Sequence, residues 1–481
     1  MGKIAKNYIY NFAFQLLVLI TPIITAPYLS RVLGPSNLGI YSYVNSSGNI
    51  VFTLSLLGIY AYGNRQVAYV RDNKDDLTGT FWEIMLTRLI LGTIGTVSYF
   101  VYANISINAK LSWYFTLYYP YVLAQFLDVS WVFVGLEDMK PAVMKNFFAR
   151  IINVIGIFVF VRKRDDVWIY ILLLAVTLLV ANLSIYFQLK KYIGRPRVNK
   201  KNIWIHIKGS FILFLPQVAS LFYLQVDKVM LKWLSGGTDQ VSFYDQAEKI
   251  INIPLTLITV LSTVMMPRIA NEFKKANKDK IQSLLLKSGQ FTLFMSFPLM
   301  LGLFSVAERF VPWYLGKDFL PTAYGMMILC PIVLFNSLSG ISGAQYFTAT
   351  DQIGILMKAY VPAAVINVIV NAALIPHYGY KGAAIATVAS SLISVIIQYY
   401  YLNKQVKLTG LVKYGVKYGI GAFIMAAVIF VSTYKMNATA LTTAVQVAIG
   451  GAVYLAFLLV TKDDMLKEIM AIVMKKIKRS K

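Results

Sequence analysis

The stretch from Val167 to Phe187 reads "VWIYILLLAVTLLVANLSIYF" and contains no charged side chain. A helix needs about 20 mostly apolar residues to cross the hydrocarbon core of a bilayer, and this stretch meets that requirement. It lies in one of fourteen long apolar segments, so the sequence predicts fourteen transmembrane helices. The segments are 8–33, 38–63, 79–103, 111–135, 140–162, 165–190, 205–234, 240–267, 281–306, 319–348, 353–375, 380–403, 411–433 and 439–460.

The composition of the whole chain points the same way. Of its 481 residues 58% are apolar and only 14% are charged, and the mean hydropathy is +0.62. A water-soluble protein of this composition would expose large apolar patches. The segments also lack the alternation of apolar and polar residues that marks the strands of a membrane β-barrel. We therefore expect an all-α integral membrane protein, whose first segment is too long for a cleaved signal peptide.

The net charge of +25 raises the question of a nucleic-acid partner, and the distribution of the charge argues against one. If the N-terminus is cytoplasmic, 32 basic residues fall in cytoplasmic segments and ten fall outside. This bias follows the positive-inside rule and predicts cytoplasmic N- and C-termini. The loop "VRKRDD" (Val161 to Asp166) falls outside, against the rule.

Two related halves are indicated by a weak internal repeat. A shift of 203 residues superposes seven identical residues within 32 positions, among them Asn49 on Asn252 and Thr53 on Thr256. The repeat predicts two six-helix bundles related by a pseudo-two-fold axis along the membrane normal. The expected domains are bundles at 1–190 and 209–403, a basic cytoplasmic interfacial linker at 191–208, an appended helix pair at 404–460 and a basic cytoplasmic tail at 461–481.

A polar stripe runs along the eighth segment at helical spacing. Its members are Asp245, Lys249, Asn252, Thr256, Thr259 and Thr263. The second segment carries a related stripe, formed by Ser42, Ser46, Asn49, Thr53 and Tyr60. We expect both stripes to line a hydrated cavity, with hydrogen bonding between packed helices as the alternative.

Four motifs in order along the chain resemble the Wzx-type flippases of polysaccharide repeat units. The first, "APYLSRVLGPSNLGIYSYV" (Ala26 to Val44), carries the pattern of Arg31, Leu33, Gly34, Gly39 and Tyr41. The others are "LGIYAYGNRQVA" (57–68), "QVDKVMLKWL" (225–234) and "LIPHYGYKGAAIATVAS" (374–390). That family belongs to the multidrug/oligosaccharidyl-lipid/polysaccharide exporter superfamily.

The resemblance implies a function and a set of partners. It implies a flippase that moves undecaprenyl-pyrophosphate-linked oligosaccharides from the inner to the outer leaflet by alternating access, for capsule, O-antigen or exopolysaccharide synthesis. It implies membrane lipids, a polysaccharide polymerase and a chain-length regulator as partners. A lipid II flippase and a multidrug antiporter of the same superfamily are the alternatives, and a membrane scaffold without transport is a third.

Placing a charged residue at membrane depth costs free energy, so such residues mark candidate functional sites. In "LFYLQVDKVMLKWL" (221–234), Asp227 and Lys228 are expected to form an ionic cluster with Asp245, Glu248 and Lys249. Because a pyrophosphate is anionic, Lys249, Lys228 and Arg31 are its candidate contacts.

Arg88 and Asp128 lie at equal predicted depth on adjacent segments, and we expect a structural ion pair, with a substrate role as the alternative.

Covalent chemistry has no support in the sequence. The chain has two His residues and one Cys, Cys330, and it lacks a nucleotide-binding loop or a cluster with metal-ligand spacing. We therefore expect a transporter that is not an enzyme and that needs neither cofactor nor metal.

Overall fold

A computed structural model of the protein describes residues 3–105, 109–221 and 225–480, and within them the regular elements are all helical. The first ten helices are α1 (Lys3–Leu56), α2 (Ile59–Val70), α3 (Lys74–Ile105), α4 (Ala109–Phe126), α5 (Ser130–Gly135), α6 (Lys140–Phe160), α7 (Val167–Ser184), α8 (Tyr186–Leu189), α9 (Lys200–Leu221) and α10 (Asp227–Ser235). The predicted seventh segment, 205–234, includes residues 222–224, which lie outside the described residues.

The second half of the chain continues the helical series. It contains α11 (Thr238–Lys274), α12 (Lys278–Tyr314), α13 (Leu320–Leu329), α14 (Pro331–Ser339), a π-helix (Gly340–Phe347), α15 (Ile353–Tyr378), α16 (Tyr380–Asn403), α17 (Gly410–Thr433), α18 (Ala440–Val460) and α19 (Asp464–Ser480). Gly379, with a φ of 52°, joins α15 to α16 at the turn that the sequence places there.

The apolar faces of these helices are turned outward. On α3, Ile94 and Val97 are 58% exposed, and on α17 Phe423 and Val431 are 69% exposed. Rows of exposed aliphatic and aromatic side chains along long helices fit a hydrocarbon solvent, in which a helix satisfies its own backbone hydrogen bonds. The chain is an all-α, multi-pass integral membrane protein.

The number of membrane crossings differs from the predicted fourteen. Within the described residues, ten helices are long and apolar enough to cross a membrane. The count is eleven if the pair Lys317–Leu329 and Pro331–Phe347, which bends by 46°, is taken as one span. The count of fourteen is not confirmed: the predicted fourth segment, 111–135, is divided between α4 and α5, and the first two predicted segments both lie mostly within α1.

The first two predicted segments meet at Gly34. The 54 residues of α1 would extend for about 80 Å as one straight helix, more than twice the hydrocarbon thickness. Gly34 interrupts the helix with a φ of 73° and a ψ of 173°. A positive φ favours glycine, so this residue provides the break between the predicted segments 8–33 and 38–63.

The chain forms two compact units, Met1–Ser242 (unit 1) and Phe243–Lys481 (unit 2). In unit 1, α1 packs against α3, α4 and α6, and α4 packs against α7. In unit 2, α15 packs against α16, and α17 packs against α12 and α18. The helices that surround the candidate site in unit 1 are α1, α4, α6 and α7.

The linker predicted at 191–208 is tied to unit 1 by a buried carboxylate on α3. The side chain of Asn202 donates to both carboxylate oxygens of Glu83, at 2.9 and 3.0 Å. The backbone N–H of Asn199 also donates to Glu83, and Nε2 of His206 lies 3.1 Å from the same carboxylate. Trp204 is 71% exposed on the opposite side, as an interfacial aromatic residue would be. These bonds hold the start of α9 in unit 1.

Candidate functional site

A polar cavity of about 380 Å³ lies inside unit 1, among α1, α4, α6 and α7. Its lining residues are Phe14, Tyr41, Tyr121, Gln125, Asp128, Lys145, Asn146, Ala149, Arg150, Asn153, Leu174, Leu178 and Asn182. Two cations and one carboxylate are among them, so the lining carries an excess positive charge. A cavity of this polarity within a membrane bundle is suited to an anionic, hydrogen-bonding ligand.

The carboxylate of the cavity is neutralised by a lysine from α6. Nζ of Lys145 lies 2.6 Å from Oδ1 of Asp128, and the same ammonium donates to the side-chain oxygen of Asn182. Asp128 also accepts from the backbone N–H of Ser130 at 3.0 Å. Asn182 in turn donates to the carbonyl oxygen of Ala124 at 2.7 Å. This network joins α4, α6 and α7 on one side of the cavity.

The expected ion pair between Arg88 and Asp128 is corrected by these contacts. The guanidinium of Arg88 donates to the carbonyl oxygens of Phe126 at 3.2 Å and of Gln125 at 2.7 Å. Arg88 is fully buried and lies close enough to Asp128 to interact with its charge, but Lys145 holds the carboxylate. Because α4 ends at Phe126, the carbonyl oxygens of its last two residues can accept from Arg88.

Arg150 is the second cation of the cavity, and it is not engaged in the same way. Its Nε atom is buried and has no hydrogen-bond partner among the described residues. Tyr41 and Tyr121 line the same cavity. One helical turn further on, the side-chain oxygen of Asn153 is also buried without a donor from the described part of the chain.

The sequence interpretation missed this polar face of α6. Residues 145–153 read "KNFFARIIN", and Lys145, Asn146, Arg150 and Asn153 fall on one side of a helix at spacings of one, four and three. Phe148 and Ile152, on the other side, are 55% and 54% exposed. The signal is therefore present in the sequence, but these two basic residues also count toward the positive-inside bias and do not stand out from it.

The stripe of the eighth segment lies on α11. Lys249 pairs with Asp245 at 2.6 Å, as the four-residue spacing predicts, and 44% of its side chain is exposed. Asp245 and Glu248 are buried, Asn252 is half-buried and Thr256 is exposed. The Thr256 hydroxyl donates to the carbonyl oxygen of Asn252 at 2.8 Å, which satisfies it within its own helix.

The stripe of the second segment has different surroundings. Ser46, the counterpart of Lys249, is fully buried, and Ser42 is nearly so. Asn49 and Thr53 are half-buried. The reason is that this part of α1 packs against α3, α4 and α6. That the two stripes line one cavity stays a prediction.

The other predicted residues also lie apart from the cavity lining. Asp227 and Lys228 are buried at the start of α10, which packs against α1 in unit 1. Arg31 is exposed on α1 and donates to the carbonyl oxygen of Pro27 at 3.3 Å. Asp245, Glu248 and Lys249 belong to unit 2, so the single cluster expected across the two helices stays a prediction.

Cysteine labelling tests whether the stripes contact water. In a Cys330→Ser background, single cysteines at Asn49, Thr53, Asn252 and Thr256 should react with a membrane-impermeant thiol reagent. Leu54 and Leu257 are matched controls, because they are 43% and 61% exposed on the neighbouring helix faces, where we expect lipid. Cysteines at the two leucine positions should react far less. Equal labelling of both sets would assign the stripes to helix packing.

Comparisons with known proteins agree on a family of membrane exporters. The sequence model of the family described as "Polysaccharide biosynthesis protein" matches residues 4–273. The chain is similar to a "Putative O-antigen transporter" of Escherichia coli K12, with 24% identity over 84% of this chain and 98% of that protein. It is also similar to the "Probable low-salt glycan biosynthesis flippase Agl15" of Haloferax volcanii, with 24% identity over 44% of this chain and 43% of that protein.

The fold has a counterpart among experimental structures. The structure of the lipid II flippase MurJ in an inward closed conformation superposes with a TM-score of 0.75. The match covers 96% of this chain and all of that chain, at 19% sequence identity. At this identity the likeness extends to the fold alone.

Proposed function

The chain belongs to the polysaccharide biosynthesis protein family, and from that premise we propose that it is a flippase for lipid-linked oligosaccharide repeat units. The observation that carries the proposal is the cationic cavity inside a membrane-spanning bundle, lined by Lys145 and Arg150. A lipid-linked saccharide brings negative charge and many hydroxyl groups into the membrane. Such a cargo needs cations and amides along its route, because hydrocarbon offers it neither.

The cargo proposed here is an undecaprenyl-pyrophosphate-linked repeat unit for capsule, O-antigen or exopolysaccharide synthesis. It moves from the inner to the outer leaflet of the bacterial cytoplasmic membrane by alternating access, and both termini of the protein lie in the cytoplasm. The basic bias of the predicted cytoplasmic segments supports this orientation. A polymerase and a chain-length regulator are the expected protein partners.

The exposed ammonium of Lys249 is proposed to contact the pyrophosphate, with Arg31 and Lys228 as further contacts. Asn49, Thr53, Asn252 and Thr256 supply polar lining along the route. Arg88, Asp128, Asp227, Asp245 and Glu248 serve as structural or ion-coupling charges. The carboxylate of Asp245 lies 2.6 Å from Nζ of Lys249 and balances its positive charge.

The two related functions make different demands on the cavity. A multidrug antiporter binds cationic drugs, which acidic linings attract, whereas Lys145 and Arg150 outnumber Asp128 here. A lipid II flippase carries the same pyrophosphate, so charge alone does not separate it from a repeat-unit flippase.

A complementation experiment separates these functions. Expression of the chain in a bacterial strain that lacks its own repeat-unit flippase should restore surface polysaccharide. It should not rescue growth of a strain depleted of its lipid II flippase, and it should not raise resistance to cationic drugs. Rescue of the lipid II-depleted strain with no restored surface polysaccharide would contradict the proposal.

A further inference from the structure

Two polar groups in the cavity of unit 1 are left without partners by the described residues. They are Nε of Arg150 and the side-chain oxygen of Asn153, and both are buried. The two residues are three positions apart on α6, so their side chains lie on one face of the helix. A buried polar group without a hydrogen bond is unfavourable, which marks this face as the place where a ligand would add what is missing.

The missing groups specify the chemistry of that ligand. The guanidinium needs an acceptor, and the amide oxygen needs a donor. An ionised carboxylate or phosphate oxygen only accepts, so either anion could satisfy Arg150, and a donor beside it is needed for Asn153. A sugar hydroxyl both donates and accepts, and a sugar carboxylate accepts two parallel bonds from a guanidinium.

We infer that this cavity binds one sugar residue that carries a carboxylate, with the carboxylate on Arg150 and a ring hydroxyl on Asn153. The inference rests on the proposed function and names the part of the repeat unit that unit 1 recognises. A volume of about 380 Å³ lies at the lower end of the range for ligand pockets, which fits a single sugar better than a whole repeat unit.

The other residues of the cavity lining are also suited to binding a saccharide. Gln125 and Asn146 present amides, which can pair with hydroxyl groups in either direction. Tyr41 and Tyr121 add phenol hydroxyls and ring faces, which provide an apolar surface beside a polar one.

The charges of the cavity match a single carboxylate. Lys145 is committed to Asp128 and Asn182, and Arg88 is committed to the carbonyl oxygens of Gln125 and Phe126. Among the described residues, Arg150 is the cation of the lining with a buried Nε that has no partner, which leaves this guanidinium for the ligand. One guanidinium balances one carboxylate, whereas a pyrophosphate would call for additional cations.

Binding of free sugars to the purified full-length protein in lipid nanodiscs tests the inference. The probes are glucuronate, glucose as its neutral match, and inorganic pyrophosphate, measured by calorimetry. Glucuronate should bind at least about tenfold more tightly than glucose, and pyrophosphate should not displace it. Arg150→Gln should weaken glucuronate roughly 10- to 100-fold, the range of a hydrogen bond between charged groups, and leave glucose almost unchanged. Arg150→Lys should lose part of the preference.

Three results would overturn the inference. In the first, the wild-type protein binds glucuronate no better than glucose, or does not bind it at all. In the second, pyrophosphate displaces glucuronate. In the third, a folded Arg150→Gln variant binds glucuronate as tightly as the wild type does. The complementation experiment is independent of these measurements. Restored surface polysaccharide with no glucuronate preference would leave the flippase function intact and remove only the acidic-sugar site.

Discussion

Replacing Lys145 with alanine should sharply reduce the amount of folded protein in the membrane. Lys145 is almost fully buried and forms the 2.6 Å ion pair with Asp128, so its removal leaves a carboxylate at membrane depth without its cation. Removing one partner of a buried ion pair destabilises a protein by about 3–5 kcal/mol. The loss is measurable as a lower midpoint of thermal unfolding in detergent and as a lower level of monodisperse protein.

A surface ion pair of the same unit provides the matched control. Arg71 lies 2.7 Å from Glu137, with 35% and 64% of the two side chains exposed. Exposed pairs contribute about 0–1 kcal/mol, so Arg71→Ala should leave the unfolding midpoint nearly unchanged. The double variant Lys145→Met with Asp128→Asn should recover much of the stability, because it removes both charges together. Equal stability of Lys145→Ala and the wild type would show that Asp128 does not depend on this lysine.

The helical membrane fold could be predicted because hydrocarbon leaves few alternatives. Long apolar segments must form helices, and positions that need a positive φ select glycine, as at Gly34 and Gly379. The number of membrane crossings was predicted less well from the sequence. A segment such as 111–135 is apolar enough in the sequence, but the structure divides it into α4 and α5, with Asp128 in the break between them. A hydropathy pattern does not report such breaks.

The cavity was less predictable than the fold, and the reason is geometrical. Counting residues along two helices gives the depth of Arg88 and Asp128, and the structure does bring them near each other. Depth does not fix the direction of a side chain or the position of a third helix. The third helix is α6, and its Lys145 takes the carboxylate. By contrast, the pairing of Lys249 with Asp245 needs only the local geometry of one helix, and their four-residue spacing in the sequence indicates it.

Replacing Lys249 with alanine should abolish or strongly reduce export while the protein remains folded in the membrane. A lipid-linked pyrophosphate must leave the headgroup layer during translocation, and an unpaired charge in a low-dielectric space costs many kcal/mol. With 44% of its side chain exposed, Lys249 is accessible to such an anion. Because its partner Asp245 is buried, the loss of this cation also lowers stability, so export is compared at equal amounts of folded membrane protein. A hydrogen bond to a charged group contributes about 1.5–3 kcal/mol, which corresponds to a roughly 10- to 100-fold lower rate of export. Surface polysaccharide per amount of membrane protein in the complemented strain measures the effect.

Two variants separate the charge of Lys249 from a general effect of lysine loss. Lys249→Arg should retain part of the activity, because it keeps the cation beside Asp245. Lys287→Ala is the matched control in unit 2, since Lys287 forms an exposed pair with Glu468 at 3.1 Å, and export should stay near the wild-type level. If Lys249→Ala exported normally at normal expression, the pyrophosphate would have to be carried by other cations. Arg31 on α1 and Lys228 on α10 would then be the residues to replace next, and the role of α11 would be limited to packing.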